Sequence, residues 1–380
     1  QQQYLQKEQT HQVLVNLSMM YQTVSQRFQR KDLTNNMAYT TINKHTDHFN
    51  TKLYTGNGST QSITGVGFQP DFVWHKYRGG TGGHNLFDAV RGATKRLRTN
   101  TNGAEGTGAD TLTSFDSDGF SLGADTTGDG VNINGYSNVT WNWKAGNSAG
   151  STNNDGSVTS TVSANTTAGF SICKFDFPSS GNFTFGHGLG VAPKMFILKG
   201  YTATANWQTY NEAKGNTWNT QINYNSSSSS GANWWGSTSP TSTVCTVGAD
   251  LIESGQTAIA YCFAEKTGYS KFGMYKGNGS TDGTFVYTGF KPAFIFVKNT
   301  SSSQSWYLLD TKRDIYNPMR TYLHADGTSG DQDHVFFDFY SNGFKARNTV
   351  SGYNSSGDNY IYMVFGQSLV GSNNVPCTAR

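Results

Sequence analysis

The chain has 380 residues, 14% of them charged and 14% aromatic, with 44 Gly, 7 Pro and a formal net charge of +3. That balance excludes a disordered chain, which is rich in charge and poor in aromatics, and argues against nucleic-acid binding through an overall polyelectrolyte field. No stretch approaches the roughly 18 apolar residues that span a bilayer as a helix, so no membrane insertion is expected.

Abundant Gly, Asn, Ser and Thr beside Tyr, Phe and Trp predict many short strands joined by tight turns, an all-β composition. The length allows two to four domains. No basic start followed by an apolar core opens the chain, and it begins with Gln1 rather than Met, which leaves an upstream or removed start open. Cys173, Cys245, Cys262 and Cys377 form no CxxC and no zinc spacing. Cys173 and Cys262 sit in alternating apolar segments and read as reduced, buried residues, which points to assembly in a reducing compartment. A bridge among Cys173, Cys245 and Cys262 is the alternative.

Residues 1–52 contain neither Gly nor Pro. Leu14, Leu17, Tyr21, Val24 and Phe28 recur at 3-4-3-4 spacing, the seam of a coiled coil. The pattern covers barely two heptads, so the helix needs a partner to be stable. Two readings stay open: a helix packed on its own β domain, or one that oligomerises or docks the chain on an assembly. Residues 32–52 read as a linker. His45 and His48 have a spacing that can share a metal on a helix, but Asp47 would point to another side, so solvated histidines and no metal are expected.

From residue 53 onward one pattern is written three times. "PDFVWHK" runs from Pro70 to Lys76, "PKMFILK" from Pro193 to Lys199 and "PAFIFVK" from Pro292 to Lys298. Each Pro follows a Gly by three residues: Gly67, Gly190 and Gly289. Pro cannot donate to a ladder and so starts a strand. The apolar run after it predicts a strand buried on both faces, and Lys is read as the exit to solvent. An opening strand precedes the phrase in every copy, an aromatic strand ("NLFDAV", "WQTYNE", "WYLLDT") follows it, and an alternating strand ("NVTWNWK", "TAIAYCF", "NYIYMVF") closes the unit. The first and third copies share a further hairpin, "YTGNGSTQSITGVGFQP" from Tyr54 and "YKGNGSTDGTFVYTGFKP" from Tyr275, in which Asn-Gly marks a tight turn.

Repeats of roughly 100 residues match the size of sandwich domains. The expected fold is therefore all-β: three tandem β-sandwich modules, jelly-roll or lectin-like, preceded by an N-terminal α-helical segment. The modules are placed at 53–146, 158–266 and 269–370, with a tail over 371–380. The polar joint 145–160 would let the first module swing, whereas the short joint 265–270 would hold the second and third together.

Chemistry is sparse. "GNSAG" around Ser148 has the letters of a nucleophile elbow but lacks its strand–turn–helix setting. Asp88, Asp116, Asp118, Glu212 and Asp310 lie in repeated scaffold phrases, which suits turns better than a glycosidase pair. "DTTGDG" at 125–130 lacks the calcium-loop alternation. The first module is locally basic through Lys76, Arg78, Arg91, Lys95, Arg96 and Arg98, a patch that could grip an anionic surface or find counter-charges on folding. The second carries Tyr224, Trp234 and Trp235 in a Ser/Asn loop, a candidate contact site for a host glycan or a protein partner.

"GFQPDFVWHK", "LFDAVRGATKRL", "LTSFDSDGFSLG" and "VTWNWKAG" together resemble a repeat domain of appendage and tail-fibre proteins of tailed phages, especially those infecting marine bacteria. The likeness is dense over 66–146 and weaker in the later modules; "NNVPCTAR" is similar as well. The resemblance implies a structural or adhesive virion protein, assembled in the host cytoplasm, with no enzyme activity and no cofactor. Its expected partners are other tail or capsid proteins, copies of itself in a trimer, and a host surface glycan or protein. A capsid-decorating knob or horn and, further off, a polysaccharide depolymerase are the alternatives.

Overall fold

The computed structural model describes residues 12, 16–20, 22 and 39–370. Its contacts divide the chain into two units, Gln1–Tyr39 and Thr40–Arg380. The described residues 12, 16–20 and 22 are helical, and Leu17 is exposed. Leu14, Tyr21, Val24 and Phe28 lie outside the described residues, as do the tail 371–380 and its Cys377.

The second unit is nearly all β. Its three repeated phrases build one four-strand arrangement three times, a sheet by itself in the first copy and part of an eight-stranded sheet in the second and third. The opening strands are Phe49–Thr55, Phe170–Asp176 and Ser270–Lys276. The Pro-phrase strands are Phe72–Tyr77, Met195–Gly200 and Phe290–Asn299. Next come the flanking strands His84–Asp88, Trp207–Asn211 and Trp306–Asp310. The closing strands are Ser137–Trp143, Thr257–Phe263 and Asn359–Ser368. In every copy the hydrogen-bonded order is opening, closing, Pro-phrase, flanking. The register repeats too: Lys76, Lys199 and Lys298 stand opposite His84, Trp207 and Trp306 on the flanking strands. Pro70 and Pro193 precede their strands, whereas Pro292 lies inside its strand at a register irregularity, the other place a ladder tolerates Pro.

Alternation along these strands sorts side chains into two kinds of core. On one face, Val73 and Phe87, Phe196 and Leu198, or Ile295 and Val297 pack within their own module, against its outer strands. On the other face, Phe72, Trp74, Trp141 and Trp143 meet Met195, Ile197, Tyr261 and Phe263 and also Phe294, Phe296, Met363 and Phe365 in one continuous cluster. Phe49 stacks on Phe365 at 5.2 Å, Phe72 lies 4.4 Å from Tyr261, and Trp74 lies 5.5 Å from Phe296. Both faces of the Pro-phrase strand are therefore apolar because each closes a different core. The three modules are not separate bodies; each covers part of the others.

Two segments expected to be loose belong to this unit. Residues 40–52 are not a linker: Ile42 and Phe49 enter the shared core, and His45 bonds Gln367 Oε1 through its backbone and ring nitrogens. His48 accepts from Asn165 Nδ2. Burial lowers the pKa of both histidines. The joint 145–160 does not swing, because Ala145 and Asn147 donate their backbone N–H to Asp71 Oδ2 at 2.7 and 3.0 Å. Its continuation, Ser151–Asn153, pairs with Ser160–Asn165, and that strand caps the opening strand of the second module. Cys173, Cys245 and Cys262 are free and buried, and burial pushes their thiols up.

A fragment holding only residues 151–266 should remain unfolded, since Ile172, Met195, Ile197, Tyr261 and Phe263 would face water together. A 1H–15N correlation spectrum without dispersed amide signals is the expected result; a native-like spectrum would show that the module is self-sufficient.

Candidate functional site

The lysines closing the three Pro phrases share the face of Phe72 and Trp74, Met195 and Ile197, Phe294 and Phe296, because a strand returns to one face at every second residue. They do not exit to solvent; all three are fully buried. Each ammonium reaches a backbone carbonyl of another module: Lys76 to Thr328 O at 3.1 Å, Lys199 to Asn102 O at 2.9 Å and Lys298 to Asn225 O at 3.0 Å. The flanking partners repeat the pattern. His84 Nε2 bonds His324 O at 2.8 Å, Trp207 Nε1 donates to Arg98 O at 2.9 Å and Trp306 Nε1 donates to Gln221 O at 2.8 Å. Because His84 Nδ1 accepts from Trp74 Nε1, the proton sits on Nε2. Backbone N–H groups of Glu105, Ser228 and Asp331 complete the set, donating to Tyr201 O, Thr300 O and Arg78 O. The three junctions therefore run from first module to third, second to first and third to second, a closed ring.

Burial lowers Lys76, Lys199 and Lys298 to about 8, only partly offset by Asp331, Glu253 and Asp326 respectively. Two junctions also carry a buried acid. Asp88 Oδ2 accepts from Tyr261 at 2.8 Å and Asp310 Oδ2 from Trp141 at 3.1 Å. Arg91 and Arg313 pair with those carboxylates and with Glu105 and Asp331. Burial alone would lower both guanidinium pKa values, but the neighbouring acids more than offset it and the net shift is upward. The third junction replaces the set with Asn211 and Met363, which offers no donor, and Asn211 Nδ2 is buried without a partner. These groups are tied to one another and join the modules.

The basic patch dissolves in the same way. Arg91 is buried in its ion pairs, Arg96 and Arg98 both pair with Asp129, Lys95 lies 3.9 Å from Glu105, and Arg78 bonds Asp331 of the third module at 2.7 Å. Trp235 is not on the surface: it is fully buried, 4.8 Å from Phe196, with its Nε1 donating to Trp218 O. Trp234 is half-buried against the core of its own module, and only Tyr224 is exposed. Asp116 accepts from Ser114 and Ser121, Asp118 from the backbone of Gly65 and Gly67, and Asp125 from three backbone amides of its own loop. Glu212 pairs with Lys194. Ser148 accepts from Gly150 N. Among the described residues no three His, Cys, Asp or Glu are grouped to hold a metal, and no helix is long and apolar enough to cross a membrane.

One surface does stand out, on the outer sheet of the third module. Strand Phe285–Tyr287 pairs with Gly343–Ala346, which pairs with Gln332–Tyr340. Tyr340, Gly343 and Tyr287 form one cross-strand row, and Asp338, Lys345 and Phe285 the next. Phe285, Tyr287 and Tyr340 are 46%, 58% and 39% exposed. The Phe285 ring covers Gly343, where a Cβ would meet it at 2.9 Å, and lies 6.1 Å from the Tyr340 ring. Asn317 bonds the backbone of Phe339 in both directions, which sets Ile315 and Tyr316, 60% and 76% exposed, beside this sheet. In the first module the corresponding rows read Asp116, Gly119, Thr64 and Ser114, Ser121, Ser62. The same hairpin is thus polar in one copy and aromatic in the other.

Residues 44–368 match, without a break, a domain of unknown function, DUF7483. The chain belongs to that family. Its matched span runs from the 3-10 turn before the first opening strand to the end of the last closing strand, so the DUF7483 domain is the whole three-module ring. No curated protein matches the chain.

Replacing Lys199 by Met should cost about 1–3 kcal/mol in urea unfolding, because Ala205 O loses its lysine donor; Lys199→Ala should cost more through the added cavity. With a folded pKa near 8 and an unfolded value near 10.4, the folded state releases its proton first as pH rises. The Lys199 contribution is therefore least favourable below pH 8 and improves above it. The wild-type advantage over Lys199→Met should grow between pH 7.5 and 9.5; a pH-independent difference would contradict this.

Proposed function

We propose that this DUF7483 chain is a structural protein of a tailed-phage particle, a fibre or appendage subunit. In this reading three β-sandwich modules make one rigid head for host-surface attachment, and the N-terminal helical segment docks the chain on the particle. The carrying observation is the unequal treatment of equivalent surfaces. A scaffold that repeats its strand order, its register and its buried lysines in all three modules places exposed Phe285, Tyr287 and Tyr340 where the first module has Ser62, Thr64 and Asp116. Scaffold needs do not call for exposed rings there, whereas contact residues concentrate on surfaces held by rigid frames. The sequence likeness over 66–146 gives the reading its setting in a virion.

Gold-labelled antibody against residues 40–370 should decorate the outside of intact particles of the phage that encodes the chain. Absence of the protein from purified particles would overturn the reading. The seam Leu14, Leu17, Tyr21, Val24 and Phe28 is proposed to join copies, so light scattering should give a trimer for the full chain and a monomer once residues 1–39 are removed. A full-length monomer would remove the oligomerising role.

A further inference from the structure

We infer that the aromatic strip Tyr340–Phe285–Tyr287 is a binding site for an uncharged polysaccharide, read as a run of pyranose rings. This rests on the contact-surface reading above and names the ligand class. Three observations carry it.

The first is size. Three strands at about 4.8 Å spacing make a strip about 10 Å long, the reach of a disaccharide. With aromatic side chains burying roughly 150–250 Å² each and exposures of 39–58%, the three rings offer on the order of 300 Å². A stable protein interface needs about 800 Å² per partner, whereas a few sugar rings need far less.

The second is charge. In the row beside the tyrosines, Lys345 is held by Asp282 and Asp338 by Arg347, the latter at 3.3 Å. Both charges are already answered within the protein, so this row offers a ligand no unpaired charge to select a sulfated or uronic chain.

The third is chemistry. Pyranose rings present a flat patch of polarised C–H groups that stacks on an aromatic face, and a rim of hydroxyls. Tyr287 and Tyr340 stand on either side of Gly343 with Phe285 laid over the glycine floor. Tyr340 Oη donates to Asp338 Oδ2 at 3.2 Å, so the phenol is oriented and the carboxylate keeps acceptor capacity beside the rings.

The test uses the full chain and immobilised or titrated neutral hexasaccharides (α-glucan, β-glucan, β-galactan and mannan), with alginate hexasaccharide as the anionic comparison. The variant is F285S/Y287T, which installs the residues of the first module; its unfolding midpoint is measured alongside. The expected result is binding of at least one neutral hexasaccharide, weakened tenfold or more in a variant that still unfolds at the wild-type midpoint. If the variant unfolds early, Y287T alone, on the exposed edge of the strip, is expected to give at least threefold weakening with an unchanged midpoint. Binding of alginate alone, binding that survives both variants, or no binding to any neutral chain would overturn the inference. So would loss of self-association in F285S/Y287T, which would assign the strip to a second copy. These outcomes leave the virion reading standing, since that fails only if the protein is absent from the particle.

Discussion

The structure depends on how three sheets share one core without leaving the ends of their central strands unpaired. Apolar burial drives the sheets together, but the face that supplies Trp74, Ile197 and Phe296 also supplies Lys76, Lys199 and Lys298 two residues on. A buried ammonium is tolerated only when it is hydrogen-bonded. Each donates to one carbonyl of its own module and one of a neighbour, so the group that would be most costly to bury also ties the rotation and register of one sheet to the next. His84, Trp207 and Trp306 repeat the instruction with a second donor. The result is a ring in which no module completes its own core.

The ring is regular where it must close and irregular where it can vary. Two junctions use a buried acid, an arginine and an aromatic donor; the third uses Asn211 and Met363 and leaves one amide nitrogen unpartnered. The second module alone has its opening strand covered by the hairpin that starts at Ser151. The third sets exposed aromatic rings side by side on its outer hairpin, where the first has polar residues. Differences of this kind on a repeated frame separate the demands of the fold, met three times, from the demands of contact, met once.

Much of this was legible in the chain. The Pro phrases, the order of landmarks and the all-β composition placed every inner strand. The sharing of one core was not, because "FVWHK" reads as buried on both faces whichever body covers the second face. The clue was parity: Lys76 falls in step with Phe72 and Trp74, and a strand cannot send that position to solvent while burying the other two. The basic patch finds its counter-charges on folding, one of the two readings its residues allowed; their identity was not legible, since Asp331 comes from the third module. A Ser/Asn-rich loop does not say which of its two Trp rings turns inward; Trp235 folds in against Phe196 and Tyr210. The aromatic strip is written in the two most similar phrases, where "SIT" becomes "FVY", a difference between the copies rather than a shared feature.

The central claim is that residues 40–370 open as one body because every module is a wall of its neighbours' core. Native-state hydrogen exchange tests this most directly at the amides of Glu105, Ser228 and Asp331, one at each junction. The account predicts that all three exchange only through global unfolding, with one common free energy and one common denaturant dependence. If one junction amide exchanged at a clearly lower free energy while the inner strands of its module stayed protected, the modules would be docked neighbours rather than parts of a single core.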